Sequence, residues 1–183
     1  MVIIFIGPPG SGKGTQANLL KNQYNNLIII TVSNLLIEKS SDGSDFGNEI
    51  KEKMDKGELI EDTVVNDVLS AKLNFLKGKN ILIDGYPRSL TQAKFLKQFL
   101  INDKSKFVIN FNVDKEVLRK RIEKRAQIES RKDDNVFDKR FDIFLKSNEE
   151  IINYLKTHFE LKNIEANSTP EAINVEIQRF LSD

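Results

Sequence analysis

The sequence predicts an α/β fold built on a parallel sheet, and three observations carry that prediction. Short apolar, β-branched runs alternate along the chain with stretches of helical periodicity. The first of these runs ends directly in a glycine-rich segment that opens a helix. The chain is 183 residues long, enough for one compact domain with a substantial core, and it shows no repeat, low-complexity tract or interdomain linker.

The elements follow in order. Met1-Val2-Ile3-Ile4-Phe5-Ile6 gives a buried strand over 2–6, and it is too short and too early to read as a signal peptide. Further strands are expected over 27–32, 80–84, 106–113 and 161–165. Between them, Val65, Val68, Leu69, Leu73 and Leu76 fall on one face of a helix over 62–76. Ile173, Ile177, Phe180 and Leu181 do the same over 170–182, where Pro170 suits a first helical turn. Strands alternating with helices imply right-handed crossovers, a parallel sheet covered on both faces, and ligands gathered at the carboxyl ends of the strands. Residues 33–60 carry no strand and read as two short helices around Ser40-Ser41-Asp42-Gly43. Residues 124–137 are strongly polar, and both segments read as excursions that cover a site.

Bulk properties exclude several classes. With 28 basic and 27 acidic side chains, no bulk electrostatics point to a nucleic-acid partner. The absence of cysteine removes a disulfide framework and a thiolate metal site. No apolar run approaches a membrane span, so a cytoplasmic protein with no membrane partner is expected. His158 stands without a partner motif and reads as a surface or helix-end residue.

The chemistry begins at Gly7-Pro8-Pro9-Gly10-Ser11-Gly12-Lys13-Gly14-Thr15, directly after the first strand. Glycines let the backbone turn its N–H groups inward around an anion. Lys13 reaches the phosphates, and the following helix aims its positive end at them. The common pattern puts Ser or Thr directly after the lysine, whereas here Gly14 intervenes before Thr15. The segment therefore predicts a nucleoside-triphosphate site on a P-loop NTPase fold, with Gly10, Ser11, Gly12, Lys13, Gly14 and Thr15 holding the nucleotide. A plain glycine-rich turn with an exposed lysine would not require strand, spacing, lysine and helix to coincide.

Two further constellations join it. The strand at 80–84 ends in Asp84, followed by Gly85-Tyr86-Pro87-Arg88. An acid at a strand end beside a phosphate loop is placed to hold Mg²⁺ through its water shell, and Arg88 offers a planar fork for a phosphate. Arg119, Arg121, Arg125, Arg131 and Arg140 form a guanidinium cluster, with Arg121 and Arg125 on one helical face. Fixed cations stabilise the charge spread over a transferring phosphoryl group. A solvated basic face balanced by Glu116, Glu123 and Glu129 is the alternative for the arginines taken alone.

Together these motifs resemble the nucleoside monophosphate kinases, most closely the adenylate kinase family, over essentially the whole chain. The resemblance rests on Gly7 to Thr15, on Asp84 to Arg88, on Arg131-Lys132-Asp133-Asp134-Asn135 and on Lys56-Gly57-Glu58-Leu59-Ile60. It implies a five-stranded parallel core flanked by helices, taken here as 1–32, 61–123 and 138–183 of one domain. It also implies a monophosphate-binding excursion at 33–60 and a short lid at 124–137. By motif position, Lys13 and the loop amides would hold the donor's phosphates. Arg88, with Thr31 nearby, would grip the acceptor. Arg121 and Arg125 would lie beside the donor base and the transferring group, and Arg131 would close from the lid. Arg140 matches the family's last catalytic arginine once a two-residue deletion after Asn135 is allowed. Gln92 would read the acceptor's adenine edge, a task an amide suits because it donates and accepts at once. Relatives with a long lid insert a module there, often with zinc-binding cysteines. This chain has only five residues between Arg125 and Arg131, so no structural zinc is expected.

The chain also departs from the family. Where relatives carry Ser-Thr-Gly-Asp-x-x-Arg, it has Thr31-Val32-Ser33-Asn34-Leu35-Leu36-Ile37. The aspartate that orders magnesium waters is Asn34, the arginine on the acceptor phosphate is Ile37, and the threonine beside the acceptor base is Val32. The expected activity is phosphoryl transfer from Mg·ATP to AMP by a monomer. A kinase for UMP or CMP, and a degenerate nucleotide-binding protein, are the alternatives.

Overall fold

The computed structural model describes residues 1–102, 105–126 and 137–182, and the side chains of all of these except Arg125 and Ala126. Five parallel strands form one sheet in the order β2-β3-β1-β4-β5. They are β1 Val2–Ile6, β2 Leu27–Thr31, β3 Asn80–Asp84, β4 Lys106–Asn112 and β5 Glu160–Glu165. The helices among the described residues are α1 Lys13–Gln23, α2 Val32–Ser40, α3 Asp45–Asp55, α4 Asp62–Phe75, α5 Leu90–Phe99, α6 Lys115–Ala126, α7 Phe137–Leu155 and α8 Pro170–Ser182.

The two-residue period of a strand sorts β1 onto two cores. Val2, Ile4 and Ile6 face Leu69, Leu73, Leu96, Ile151 and Leu155 of α4, α5 and α7. Ile3 and Phe5 face Ala17, Leu20, Ile173 and Ile177 of α1 and α8. Burial of both faces is why the strand is an unbroken apolar run rather than an alternating one. Each fully buried Ile or Leu here contributes roughly 1.5–3 kcal/mol of apolar burial. A smaller cluster of Leu118, Ile122, Phe137 and Phe141 fixes α6 against α7.

Three expected strand boundaries moved by one residue, one of them the start of β5, at Glu160 rather than 161. Val32 starts α2 instead of closing β2, because the chain turns at Thr31 into a helix whose buried face is Val32 and Leu36. Val113 lies beyond β4, which ends at Asn112. β5 buries only Ile164 among its six residues, as an edge strand rich in charge does. The segment 33–60 does hold the two expected helices, α2 and α3. His158 follows α7 and meets the Tyr154 ring edge-on at 4.8 Å between centroids. Most of the expected lid, 124–137, lies outside the described residues.

Candidate active site

Parallel pairing brings the first two motifs together. Phe5 of β1 stands beside Asp84 of β3, and Asp84 stands beside Thr31 of β2. The carboxyl ends of three neighbouring strands therefore deliver the phosphate loop, Asp84 and Thr31 to one edge of the sheet. The switch in strand order around β1 opens the crevice there.

The loop is built for an anion. Gly10 and Gly12 have φ of 80° and 90°, in the left-handed region where a side chain would be strained. A Cβ on Gly12 would meet nothing within 4 Å, so the space over the α1 N-terminus is open. No side chain caps that helix end, so its N–H groups remain available to a ligand. Lys13 Nζ folds back on its own loop and donates to Gly7 O at 2.8 Å, Pro8 O at 2.9 Å and Ser11 Oγ at 3.1 Å. The ammonium is thus held at the rim of the cradle.

Asp84 completes this corner. Its Oδ1 is buried and accepts no hydrogen bond among the described residues. A buried carboxylate oxygen without a donor, beside an anion loop, fits the water shell of Mg²⁺.

Following Asp84 in the chain, Arg88 Nε donates to Gly85 O at 2.9 Å. The Arg88 backbone N–H donates to Gln92 Oε1 at 2.7 Å, and Gln92 Nε2 donates to Asp62 Oδ1 at 2.8 Å. Ser89 Oγ accepts from Gln92 N at 3.1 Å, capping α5, and donates to Asp62 Oδ2 at 2.6 Å. Burial, with the Asp62 charge adding to it, pushes the Tyr86 hydroxyl well above the usual tyrosine range. It stays a donor, and it reaches Asn66 Oδ1 and Gln92 O. Arg121 Nη2 donates to Ala166 O at 2.8 Å, tying α6 to the end of β5. Burial lowers the Arg121 pKa from its ordinary value.

A cavity of about 1270 Å³ lies among these groups. Gly10, Ser11, Gly12, Lys13, Gly14, Thr15, Thr31, Asp84, Arg88, Gln92, Arg121 and Arg140 all border it. The Arg125 side chain and the whole of Arg131 lie outside the described residues. Val32, Asn34 and Ile37, the departures from the family pattern, line the same cavity.

Other groups at this site carry no signature in the sequence. Asp62 and Ser89 brace Gln92, yet in sequence they look like ordinary helix-start residues. Lys124 and Asn148 border the cavity, and Asn148 Oδ1 is buried without a partner among the described residues. Nothing in the sequence around Asn148 signals it.

A phosphate loop, an acid on the neighbouring strand and arginines converging on one crevice define a P-loop phosphotransferase. The family model for adenylate kinase matches residues 5–160. Adenylate kinase 1 of Schistosoma mansoni is 40% identical over 190 residues, covering 98% of this chain and 93% of that protein. The adenylate kinase of Prochlorococcus marinus subsp. pastoris is 36% identical over 185 residues, covering 98% and 97%. That of Thermus thermophilus is 29% identical over 183 residues, covering 98% and 96%. The chain belongs to the adenylate kinase family. It is a nucleotide-binding phosphotransferase of the α/β, P-loop fold. Among the described residues, no helix is long and apolar enough to cross a membrane.

Proposed function

We propose that the chain transfers the terminal phosphoryl group of ATP to AMP, giving two ADP, and that it runs reversibly. The observation that carries this is the single cavity, whose volume of about 1270 Å³ exceeds the roughly 300–1,000 Å³ of a one-ligand site. It is lined both by the phosphate loop and by Arg88 and Gln92. Two nucleotides meeting at their phosphates account for that volume and for both sets of lining residues.

In this reading the loop amides from Gly10 to Thr15 and Lys13 hold the donor's phosphates, and Lys13 exchanges its loop carbonyls for phosphate oxygens. Arg121 flanks the donor base. Arg88, with Thr31 beside it, holds the acceptor phosphate, and Gln92 reads the acceptor base. An AMP phosphate oxygen attacks the γ-phosphorus, and the bond to the β,γ-bridging oxygen breaks. No general base is needed, because the nucleophile is already an anion. Arg125, Arg131 and Arg140 complete the set of cations around the transferring group. Asp84 would hold Mg²⁺ through water, and the ion would neutralise charge shared by the β- and γ-phosphates. The same reading takes the enzyme to act as a monomer in the cytoplasm.

The test is a steady-state assay of the purified chain with Mg·ATP against AMP, UMP, CMP and GMP. AMP should be fastest, with two ADP formed per AMP consumed. Faster turnover of UMP or CMP, or no turnover of any monophosphate, would overturn the proposal.

A further inference from the structure

We propose that Asp62 is a positioning residue that sets the polarity of the Gln92 amide, and through it the class of base edge the acceptor site takes. The inference rests on Gln92 reading that base.

A side-chain amide has two ends of similar shape and opposite hydrogen-bonding character, so its orientation must be imposed by its neighbours. Here both neighbours are single-natured. The Arg88 backbone N–H can only donate, and it meets Gln92 Oε1 at 2.7 Å. The Asp62 carboxylate can only accept, and it meets Gln92 Nε2 at 2.8 Å. Turning the amide over would set N–H against N–H and oxygen against carboxylate in a residue that is 3% exposed. Asp62 is itself held, because its second oxygen accepts from Ser89 Oγ at 2.6 Å. Helix positions, not loops, supply Asp62 and Gln92: the first is the opening residue of α4, the second sits in the first turn of α5. Tyr86 locks the two helices together by bonding Asn66 of α4 and the Gln92 carbonyl of α5.

After these two bonds the amide keeps one N–H and one lone pair. With polarity fixed, that pair presents an acceptor and a donor in a set order. An amino-edged base offers an exocyclic N–H₂ beside a ring-nitrogen acceptor, as adenine does. An oxo-edged base such as guanine offers the reverse, a carbonyl oxygen beside a ring N–H. One orientation of Gln92 suits the first kind, and the other suits the second. Asp62 thereby selects the amino edge of adenine over the oxo edge of guanine without touching either base.

The experiment compares kcat and KM for AMP and GMP, at saturating Mg·ATP, in wild type, Asp62→Ala, Asp62→Asn and Gln92→Ala. In Asp62→Ala the AMP KM should rise five- to tenfold, the AMP-over-GMP ratio of kcat/KM should fall at least tenfold, and the ATP KM should stay within twofold. Asp62→Asn should recover most of the discrimination, since its Oδ1 can still accept from Gln92 while its Nδ2 faces Ser89 Oγ. If Asp62→Ala does not fold, Ser89→Ala, which frees the second carboxylate oxygen, should lower the ratio at least threefold. A ratio unchanged in Asp62→Ala, or in Ser89→Ala where that variant stands in, overturns the inference. If Gln92→Ala lowers the ratio while the Asp62 variants do not, this inference alone fails. If Gln92→Ala also leaves the ratio unchanged, Gln92 does not read the base and both fall. Wild type that prefers another monophosphate overturns the proposed reaction itself.

Discussion

Lys13 shows how a cation is kept ready for an anion. Its Nζ reaches two loop carbonyls and Ser11 Oγ within 3.1 Å, so the charge is pinned at the loop that the proposed reaction gives to the donor phosphates. Lys13→Met keeps the length of the stem and removes the charge, and it should abolish nearly all turnover while the chain stays folded. Activity within a few fold of wild type, with an unchanged circular dichroism spectrum, would refute the assignment of this loop to the transferring phosphates. Ile37 is the opposite case. It is 50% exposed and borders the cavity, where relatives carry an arginine. An apolar side chain cannot donate to a phosphate, so in the proposed reaction Arg88 would carry more of that grip. Ile37→Arg should tighten AMP about tenfold, or about 1.4 kcal/mol, with the ATP side unmoved. Titration of AMP against both proteins checks this, and equal affinities would mean that another cation already serves or that AMP is not the acceptor.

At the scale of elements, the corner between α2 and α3 shows a packing constraint and a charge constraint in the same turn. Asp42 accepts from Ser44 N and Ser44 Oγ and pairs with Lys39, while Ser44 Oγ caps α3 by accepting from Gly47 N at 2.9 Å. A Cβ on Gly47 would stand 2.6 Å from Asp42 Oδ1 and 3.0 Å from Lys39 O. Gly47→Ala should therefore open this corner and weaken nucleotide-dependent protection of 33–60, even though alanine favours helices. Hydrogen exchange reads that directly. The Lys39 ammonium and the Ser44 donors hold the Asp42 carboxyl well below the usual carboxylate range. A depressed folded pKa contributes stability above the unfolded value of about 3.9 and loses it as pH falls. The difference in urea midpoint between wild type and Asp42→Asn should thus be largest at pH 7 and shrink below pH 4. Elements of this kind were legible in the sequence where one period dominated: the apolar run of β1 and the 62–76 and 170–182 helical faces lie close to their expected bounds. Boundaries were less so, because Val32 is as good a strand residue as a helix one, and only the buried face it shares with Leu36 decides. The motif residues of the site were legible because phosphate chemistry restricts residue type and spacing. Asp62, Ser89 and Asn148 were not, because what they do depends on contacts across helices distant in sequence.

Across the whole molecule, the question is what holds the α2–α3 excursion over the sheet edge. Among the described residues, Lys139 at the start of α7 reaches across to it, donating to Lys56 O and to Glu58 Oε1, both at 3.0 Å. Both side chains of that ion pair are more than 40% exposed, so it is a contact that thermal motion can break and re-form. Phosphoryl transfer needs the opposite of an open crevice, since water reaching the γ-phosphate would hydrolyse it. On the proposed reaction, the cavity of about 1270 Å³ would be filled by two nucleotides and closed around them. Among the described residues, the excursion is placed to do this, because it is tied to the core through β2 and α4 and carries Ile37, Met54 and Leu59 on the cavity wall. A bisubstrate analogue should slow amide exchange across 33–60 several-fold. Lys139→Ala should speed exchange there in the unliganded protein and leave the liganded rate nearly unchanged, because the ligand then supplies the bridge. Exchange across 33–60 that is the same with and without the analogue would mean the excursion does not close, and the site would have to exclude water by other means.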